Sequence, residues 1–367
     1  MFTNHKTYQN HIYFMELALK QAEKVIGNTK DNPAVGCVIT KNNQMISAGH
    51  TSINGRPHAE TNAINFSTND IKNAILYVTL EPCSHHGKTP PCVNLIIKKK
   101  IKKVFFSVFD PDTRSFNKSL NKFKKSGITT NRGLFKKEIK NFYRSYIKYK
   151  NDGLPFVTCK LAVTKDFYTI NKRHKNITNK YSRGRVQLMR SYHDCIVTSS
   201  QTVLKDNPKL TCRIDGLKYR SPVRIILDSK LKIKMNTHIV KEGKKHFTII
   251  FYNKINKMKL NLLKKLKIKV IKISLDEFGN LDLKEVLINL KKFGFSRVFL
   301  ESGIKLTSSF LKNNLVDDFK LFISDNNIGK LGMGNIKNFL NLHLKNIKKE
   351  TEKVNLLGDN LISYKLK

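Results

Sequence analysis

The sequence predicts an α/β protein built from two domains, residues 1–150 and residues 151–367. A chain of 367 residues is too long for one ordinary core, and a hydrophobic content of 40% is enough to fill two. Apolar strand-like runs alternate with helical segments in both halves, which is typical of α/β folds. The sharpest break is Asn151-Asp152-Gly153-Leu154-Pro155, where turn-forming residues stand directly before a new apolar run.

The first half is predicted to open with a helix and then to alternate strands with helices. The spacing of Ile12, Met15, Leu19, Ala22 and Ile26 predicts the first helix, and Gly27 is a natural stop for it. The other predicted elements follow in order: strands 35–40 and 45–51 joined by a turn at 41–43, a helix over 58–66, a strand over 74–80, a helix over 92–99, a strand over 104–108 and a basic helix over 134–149.

The second half repeats the alternation, which predicts a second α/β domain. Its predicted strands cover 156–162, 195–198, 224–227, 247–251 and 297–300, with helices around 183–190 and 283–293. The lysine-rich stretch 253–272 is predicted to be a charged helix followed by a strand. No internal repeat relates the two halves.

A formal net charge of +42 raises the alternative of a basic RNA-binding protein. The lysines are spread along the whole chain, however, and the sequence has no RGG tract, basic arm or patch of interleaved basic and aromatic residues. Lys, Asn, Ile and Phe are all abundant, as A/T-rich codons would produce. We therefore expect a solvated basic surface without a specific nucleic-acid partner. The positive electrostatic field of this surface would still attract an anionic substrate.

The remaining composition points to the cytoplasm. No run approaches the ~20 apolar residues of a membrane span, and the first twenty residues mix charged groups into their apolar positions, unlike a signal peptide. Cys37, Cys159 and Cys195 stand in apolar runs, where buried free thiols are expected. Cys83 and Cys92 require another explanation. Self-association into a homo-oligomer stays open at this level.

A zinc centre provides that explanation. His58, Cys83 and Cys92 offer one imidazole and two thiolates, and three protein ligands leave the open fourth position of a catalytic zinc. Glu60 stands two residues after His58, where its carboxylate can reach a water on the metal and move protons for it. His-x-Glu followed by Pro-Cys is the mark of zinc nucleobase deaminases, although here the second cysteine comes nine positions after the first.

The run TLEPCSHHGKTPPC over 79–92 closely resembles the bacterial bifunctional riboflavin-biosynthesis deaminase/reductase family, as do NPAVGCVI over 32–39 and PHAE over 57–60. The resemblance implies a cytidine-deaminase-like α/β/α domain with His58, Cys83 and Cys92 on zinc and Glu60 as catalytic proton shuttle. It also implies hydrolytic deamination of 2,5-diamino-6-ribosylamino-4(3H)-pyrimidinone 5′-phosphate. Lys88 is a candidate contact for the ribose phosphate, the alternative being a solvated lysine.

The resemblance continues through most of the second half, in QLMR over 187–190, TSSQTVLKDNP over 198–208, LTCR over 210–213, Asp228-Ser229 and Glu301-Ser302-Gly303. It implies a dihydrofolate-reductase-like α/β domain that uses NADPH to reduce the ribosyl chain, giving 5-amino-6-ribitylaminouracil 5′-phosphate. The cofactor residues that it implies are Ala162, Thr202, Asp206, Ser229 and Gly303. The implied substrate residues are Arg190, Leu210, Arg213 and Glu301, and the two guanidinium groups suit a phosphate.

The chain departs from the family's pattern at several positions. Phe167 replaces a glycine, the segment 171–176 is shortened and basic, and Asn176 stands near the place of a missing tryptophan. His174 stands where a substrate-binding serine is expected, and Asp112 where asparagine is expected. One alternative is therefore a deaminase whose degraded reductase domain serves as a scaffold. The other is an RNA-binding protein with a structural zinc, which would need a fourth protein ligand.

Overall fold

The computed structural model describes residues 5–172 and 176–367. By its internal contacts the chain divides into two compact units, one ending at Leu154 and the other beginning at Pro155. This division falls inside the break at 151–155. None of the helices in the described ranges is both long enough and apolar enough to span a bilayer.

The first unit is built on one five-stranded sheet with the order β2-β1-β3-β4-β5. Strand β1 is antiparallel to both of its neighbours, whereas β3, β4 and β5 run parallel. The strands are β1 Gly36–Lys41, β2 Gln44–His50, β3 Ile75–Leu80, β4 Lys103–Val108 and β5 Thr129–Arg132, and the helices are α1 His5–Glu23, α2 Ala59–Asn65, α3 Cys92–Lys98, α4 Ser119–Lys125, α5 Lys136–Phe142 and α6 Arg144–Asn151.

Two glycines show that helices cover both faces of this sheet. A Cβ at Gly36 would lie 1.8 Å from the Ala18 carbonyl oxygen in α1, and a Cβ at Gly49 would lie 2.4 Å from the Ala63 nitrogen in α2. Gly36 pairs with His50 and Gly49 pairs with Cys37, so the two glycines point to opposite faces. Helices α1 and α2 therefore lie on opposite faces, which confirms the predicted α/β/α arrangement.

The single basic helix predicted over 134–149 is wrong. Helices α5 and α6 are separated at Tyr143, whose ψ of 4° leaves the helical range. The Tyr143 side chain is buried; its hydroxyl donates to the Ala34 carbonyl oxygen at 3.0 Å and lies 2.6 Å from Thr79 Oγ1. Because these long-range contacts anchor the ring inside the core, the backbone turns there instead of continuing the amphipathic pattern.

The second unit is built on a nine-stranded sheet with the order β11-β10-β9-β8-β12-β6-β13-β16-β15. The strands from β11 to β13 in this order run parallel, and β16 and β15 add an antiparallel edge. A separate antiparallel pair joins β7 to β14. The elements are β6 Phe156–Val163, β7 Tyr168–Asn171, α7 Lys180–Arg190, β8 Cys195–Ser199, α8 Ser200–Asp206, β9 Val223–Leu227, α9 His238–Lys241, β10 Thr248–Tyr252, α10 Lys257–Lys265, β11 Lys269–Lys272, α11 Leu283–Lys292, β12 Arg297–Glu301, α12 Ile304–Lys312, β13 Asp318–Ile323, β14 Gly332–Asn335, α13 Lys337–Leu344, β15 Lys349–Thr351 and β16 Asn360–Lys365.

The turn between β6 and β7 forms even though Phe167 stands at the family's glycine position. Phe167 adopts a left-handed φ of +66°, a conformation that costs a non-glycine residue roughly 1–2 kcal/mol. The Phe167 N–H donates to the Thr164 carbonyl oxygen at 2.9 Å, and Asp166 Oδ2 accepts the Gly329 N–H at 2.8 Å. These hydrogen bonds hold the turn without glycine. The rest of the departing segment, including His174, lies at least partly outside the described residues.

Candidate functional site

Three predicted metal ligands meet in the first unit. His58 precedes the first turn of α2, Cys83 follows β3 by three residues, and Cys92 is the first residue of α3. The His58 Nδ1 atom lies 3.5 Å from Cys83 Sγ and 3.3 Å from Cys92 Sγ. The Cys92 N–H donates to Cys83 Sγ at 3.3 Å, which ties the start of α3 to the other thiol. The three side chains that the sequence predicted as metal ligands thus lie together at one site.

The geometry of this cluster fits zinc. Tetrahedral zinc with ordinary bond lengths places a ligand nitrogen and a ligand sulfur about 3.6 Å apart, close to the two distances found here. All three ligand atoms lie within 4.8 Å of one another, and no fourth His, Cys, Asp or Glu from the described residues joins the group. Hydrogen bonding from Cys92 and His58 lowers the pKa of Cys83 to about 4, in spite of its burial. One imidazole and two soft sulfur donors suit zinc and leave a position open.

Glu60 lies beside the cluster in the first turn of α2. Only 3% of its surface is exposed. Burial raises the pKa of the Glu60 carboxyl to about 7, and the neighbouring Cys83 thiolate adds to this rise. A carboxyl group with a pKa near neutrality can both take up and release protons at the working pH.

The cluster opens into a cavity of about 480 Å³. His58, Cys83 and Glu60 form part of its wall, and Lys88 lines it from the exposed loop between the two cysteines. Its other charged lining residues are Lys30, Asp31, Arg56, Glu81, Asp110, Asp112, Arg114 and Lys150. A space of this size is within the range of small-molecule sites.

Glu81 fixes another part of the cavity wall, a role that the sequence analysis missed. Its buried carboxylate accepts the N–H of Asn117 at 3.0 Å, the N–H of Ser119 at 3.1 Å and the hydroxyl of Ser119 at 2.7 Å. It thereby holds the loop 110–119 next to the segment 83–92, which carries both cysteines. A second link joins His85 Nδ1 to Ser115 Oγ at 2.8 Å. The only sequence signal was an acidic residue at the end of a buried strand, directly before Pro82-Cys83.

The acidic residues of that loop are already partnered. Asp112 pairs with Arg114 at 2.6 Å and with Lys150 at 3.0 Å, and these cations hold its pKa well below its ordinary value. Asp110 accepts a hydrogen bond from the Tyr146 hydroxyl at 3.0 Å. Burial raises the pKa of Asp110 to about 6. The charge at position 112 is thus neutralised within the wall.

Two predicted substrate residues of the second unit are paired with each other. Arg190 Nε and Nη2 each donate to one carboxylate oxygen of Glu301, both at 2.9 Å, and Nη1 donates to the Thr211 carbonyl oxygen at 3.0 Å. Glu301 is half-buried, and desolvation alone would raise its pKa, but the Arg190 charge holds that pKa below the ordinary value. Lys160, which the sequence analysis did not select, stands opposite Glu301 in the β6–β12 register, and burial lowers its pKa.

Other predicted residues follow the carboxyl ends of neighbouring parallel strands. Thr202 Oγ1 lies 3.1 Å from Oγ of Ser199, the last residue of β8, and 3.3 Å from Oγ of Ser302, which follows β12. Gly303 caps α12, and a Cβ there would meet no atom within 4 Å. This open helix N-terminus beside a hydroxyl cluster at the carboxyl edge of a parallel sheet fits the phosphates of a dinucleotide.

The remaining predicted residues surround this edge. Ser229 follows β9, the other neighbour of β8, and Asp206 is the exposed last residue of α8. Ala162 lies on β6, two residues beyond Lys160. Leu210 is buried at a φ of +56°, and the nearby Arg213 is exposed. Partial desolvation and then the charge of Arg190 lower the pKa of Arg213.

Comparison with known proteins relates both units to families. Residues 155–356 match the RibD C-terminal domain, and residues 8–108 match the cytidine and deoxycytidylate deaminase zinc-binding region. The riboflavin biosynthesis protein RibD of Bacillus amyloliquefaciens is 35% identical over 86% of this chain and 85% of its own length. RibD of Aquifex aeolicus is 32% identical over 96% of this chain and 97% of its own length.

A solved structure has the same arrangement of elements. The diaminohydroxyphosphoribosylaminopyrimidine deaminase/5-amino-6-(5-phosphoribosylamino)uracil reductase of Thermotoga maritima aligns with a TM-score of 0.83 at 31% identity. The alignment covers 98% of this chain and 99% of that one.

Proposed function

Because the chain belongs to the RibD family of bifunctional riboflavin-biosynthesis proteins, we propose that its two units catalyse successive steps on one phosphorylated pyrimidine. The first step is hydrolytic deamination of 2,5-diamino-6-ribosylamino-4(3H)-pyrimidinone 5′-phosphate in residues 1–150. The second is reduction of the ribosyl chain in residues 151–367, which gives 5-amino-6-ribitylaminouracil 5′-phosphate. The observation that carries the proposal is the His58–Cys83–Cys92 cluster with the buried Glu60 beside it in a cavity.

In the deaminase site, His58, Cys83 and Cys92 hold zinc, which supplies a Lewis acid that makes water a better nucleophile near neutral pH. Glu60 accepts a proton as water adds to the C2 carbon of the pyrimidinone. It then passes protons to the ring nitrogen and to the departing amine, so that the C–N bond breaks, ammonia leaves and a carbonyl remains. The cavity orients the ring, and Lys88 contacts the substrate phosphate.

In the reductase site, NADPH supplies the hydride for the ribosyl carbon. We assign cofactor binding to Ala162, Thr202, Asp206, Ser229 and Gly303, and substrate binding to Arg190, Leu210, Arg213 and Glu301. Arg190 gives three of its five N–H groups to Glu301 and Thr211. Arg213 is therefore the guanidinium group with more donors left for the substrate phosphate. The Arg190 pairing keeps Glu301 ionised and fixed in position.

We further propose that the enzyme works in the cytoplasm without a specific nucleic-acid partner. Zinc binding requires Cys83 and Cys92 to stay reduced, and all six cysteines are free thiols. The +42 charge is distributed over the chain, and diffuse charge gives only weak, salt-dependent attraction to nucleic acid. A structural zinc is disfavoured because the described residues provide three ligands and not four.

An assay of the purified full chain tests the proposed function. With the diaminopyrimidinone phosphate alone, we expect one ammonia to be released per substrate, and with NADPH present we expect an equal amount of NADPH to be oxidised. The deaminated intermediate supplied directly should oxidise NADPH without releasing ammonia. Ammonia release without any NADPH oxidation would instead support the alternative in which the second unit is a scaffold. No reaction in either arm would refute the proposal.

A further inference from the structure

Arg56 places an unpaired cation on the wall of the deaminase cavity. It stands two residues before His58 and lines the cavity as a half-buried side chain. Its Nη1 group donates a hydrogen bond to Thr89 Oγ1. Within the described residues this is the only hydrogen bond of its side chain and it forms no ion pair, so most of its five N–H donors remain available to a ligand.

Arg56 lies against the loop that carries Lys88. A Cβ at Gly87, the residue before Lys88, would lie 3.4 Å from Arg56 Nη2. The hydrogen bond to Thr89 anchors the guanidinium group on the other side of Lys88. Gly87 thus lies near Arg56 and Thr89 is hydrogen-bonded to it, which brings the two cations to one wall of the cavity.

Of the other cations that line this cavity, Lys30 also forms no ion pair with any described residue, whereas Arg114 and Lys150 share one acidic partner. Arg114 and Lys150 both pair with Asp112, whose single negative charge offsets one of their two positive charges. Lys88 forms no ion pair with any described residue, as is the case for Arg56. The wall formed by residues 56 and 87–89 therefore carries uncompensated positive charge. Such charge attracts an anion and holds it most strongly where a guanidinium fork can form two parallel hydrogen bonds.

We propose that Arg56 binds the phosphate of the substrate together with Lys88, and so makes the deaminase site specific for a phosphorylated pyrimidine. This inference rests on the proposed function and deepens it. Two residues span at most about 7 Å of chain, so Arg56 stays close to the metal ligand His58. An anion bound by Arg56 would therefore occupy the same cavity as the reacting ring, as the phosphate of a ribosylamino substrate requires.

Steady-state ammonia release by the full chain tests this assignment, with the phosphorylated substrate compared with its dephosphorylated ribonucleoside. For Arg56→Gln we expect the KM of the phosphorylated substrate to rise about 10- to 100-fold while kcat changes by less than about twofold. The kcat/KM for the dephosphorylated compound should not change. Arg56→Lys should recover part of the lost affinity, because it keeps the charge but not the fork.

Arg132→Gln is the matched control. Arg132 is an exposed arginine of the same unit that packs over the Phe109 ring and does not line the cavity. Its loss removes the same charge and should leave the KM unchanged. The inference is overturned if Arg56→Gln keeps the wild-type KM, or if it weakens both substrates equally.

Failure of the proposed function has a different signature, since the wild-type chain would then release no ammonia from either compound. Calorimetric titration with ribose 5-phosphate decides the role of Arg56 even in that case. We expect the wild-type chain to bind it at one site more than Arg56→Gln does. Equal numbers of sites in the two proteins would contradict the inference.

Discussion

Replacing Glu60 with glutamine should nearly abolish deamination while leaving the metal in place. We expect kcat for ammonia release to fall by ~10²–10⁴-fold or more, the range that a positioned acid–base group contributes. The amide matches the carboxyl in size, so the tightly enclosed site, with only 3% of Glu60 exposed, should keep its packing. What the amide lacks is the ability to accept a proton from water and deliver it to the leaving amine.

Ammonia release at saturating substrate and zinc content per chain are the measurements for this variant. Glu16→Gln is the matched control, because it removes an exposed carboxylate from α1 in the same unit. NADPH oxidation with the deaminated intermediate should be unchanged in both variants. Loss of zinc together with activity would make Glu60 a structural residue, and turnover close to the wild-type rate would exclude its role in proton transfer.

Cys83→Ser should remove zinc and deamination together. A neutral hydroxyl is a poor replacement for a thiolate ligand, and the site would keep only His58 and Cys92. We expect the loss in metal affinity to exceed the ~10–100-fold that follows from removing a group outside the metal's own ligands. Zinc content after dialysis against a chelator, measured beside ammonia release, reports both effects.

Cys195→Ala is the matched control for that variant. Cys195 is a buried cysteine on β8 and lies outside the metal cluster. The control protein should keep one zinc per chain and its rate of ammonia release. A Cys83→Ser protein that retained stoichiometric zinc and full activity would show that this thiol is not a ligand.

The metal centre could be predicted from the sequence because its ligands belong to short, recognisable segments. His58 and Glu60 are separated by one residue, Cys83 follows a buried strand by three residues, and Cys92 begins a helix. Local structure therefore brings them together once the sheet forms. The β1–β2 hairpin was predictable for a similar reason. Its turn residues Asn42 and Asn43 both adopt positive φ, which asparagine tolerates better than most residues.

Features that depend on distant contacts could not be predicted in this way. The Arg190–Glu301 pair joins residues 111 positions apart, and Glu81 holds Ser119 from 38 positions away. Within its own short segment of sequence, none of these side chains differs from an ordinary polar residue. The helix break at Tyr143 likewise depends on Thr79 and Ala34, which lie far away in the chain. The periodicity of apolar residues therefore predicted one unbroken helix over 134–149.

We propose that one chain holds two chemically independent sites, of which only the first depends on zinc. Removing zinc from the purified full chain and assaying both reactions on the same sample tests this most directly. We expect ammonia release from the diaminopyrimidinone phosphate to be lost and to return when zinc is added back, while NADPH oxidation with the deaminated intermediate continues at its original rate. Ammonia release that persists without zinc would show that deamination does not need the metal, and NADPH oxidation that falls in parallel with ammonia release would show that the two sites are not independent.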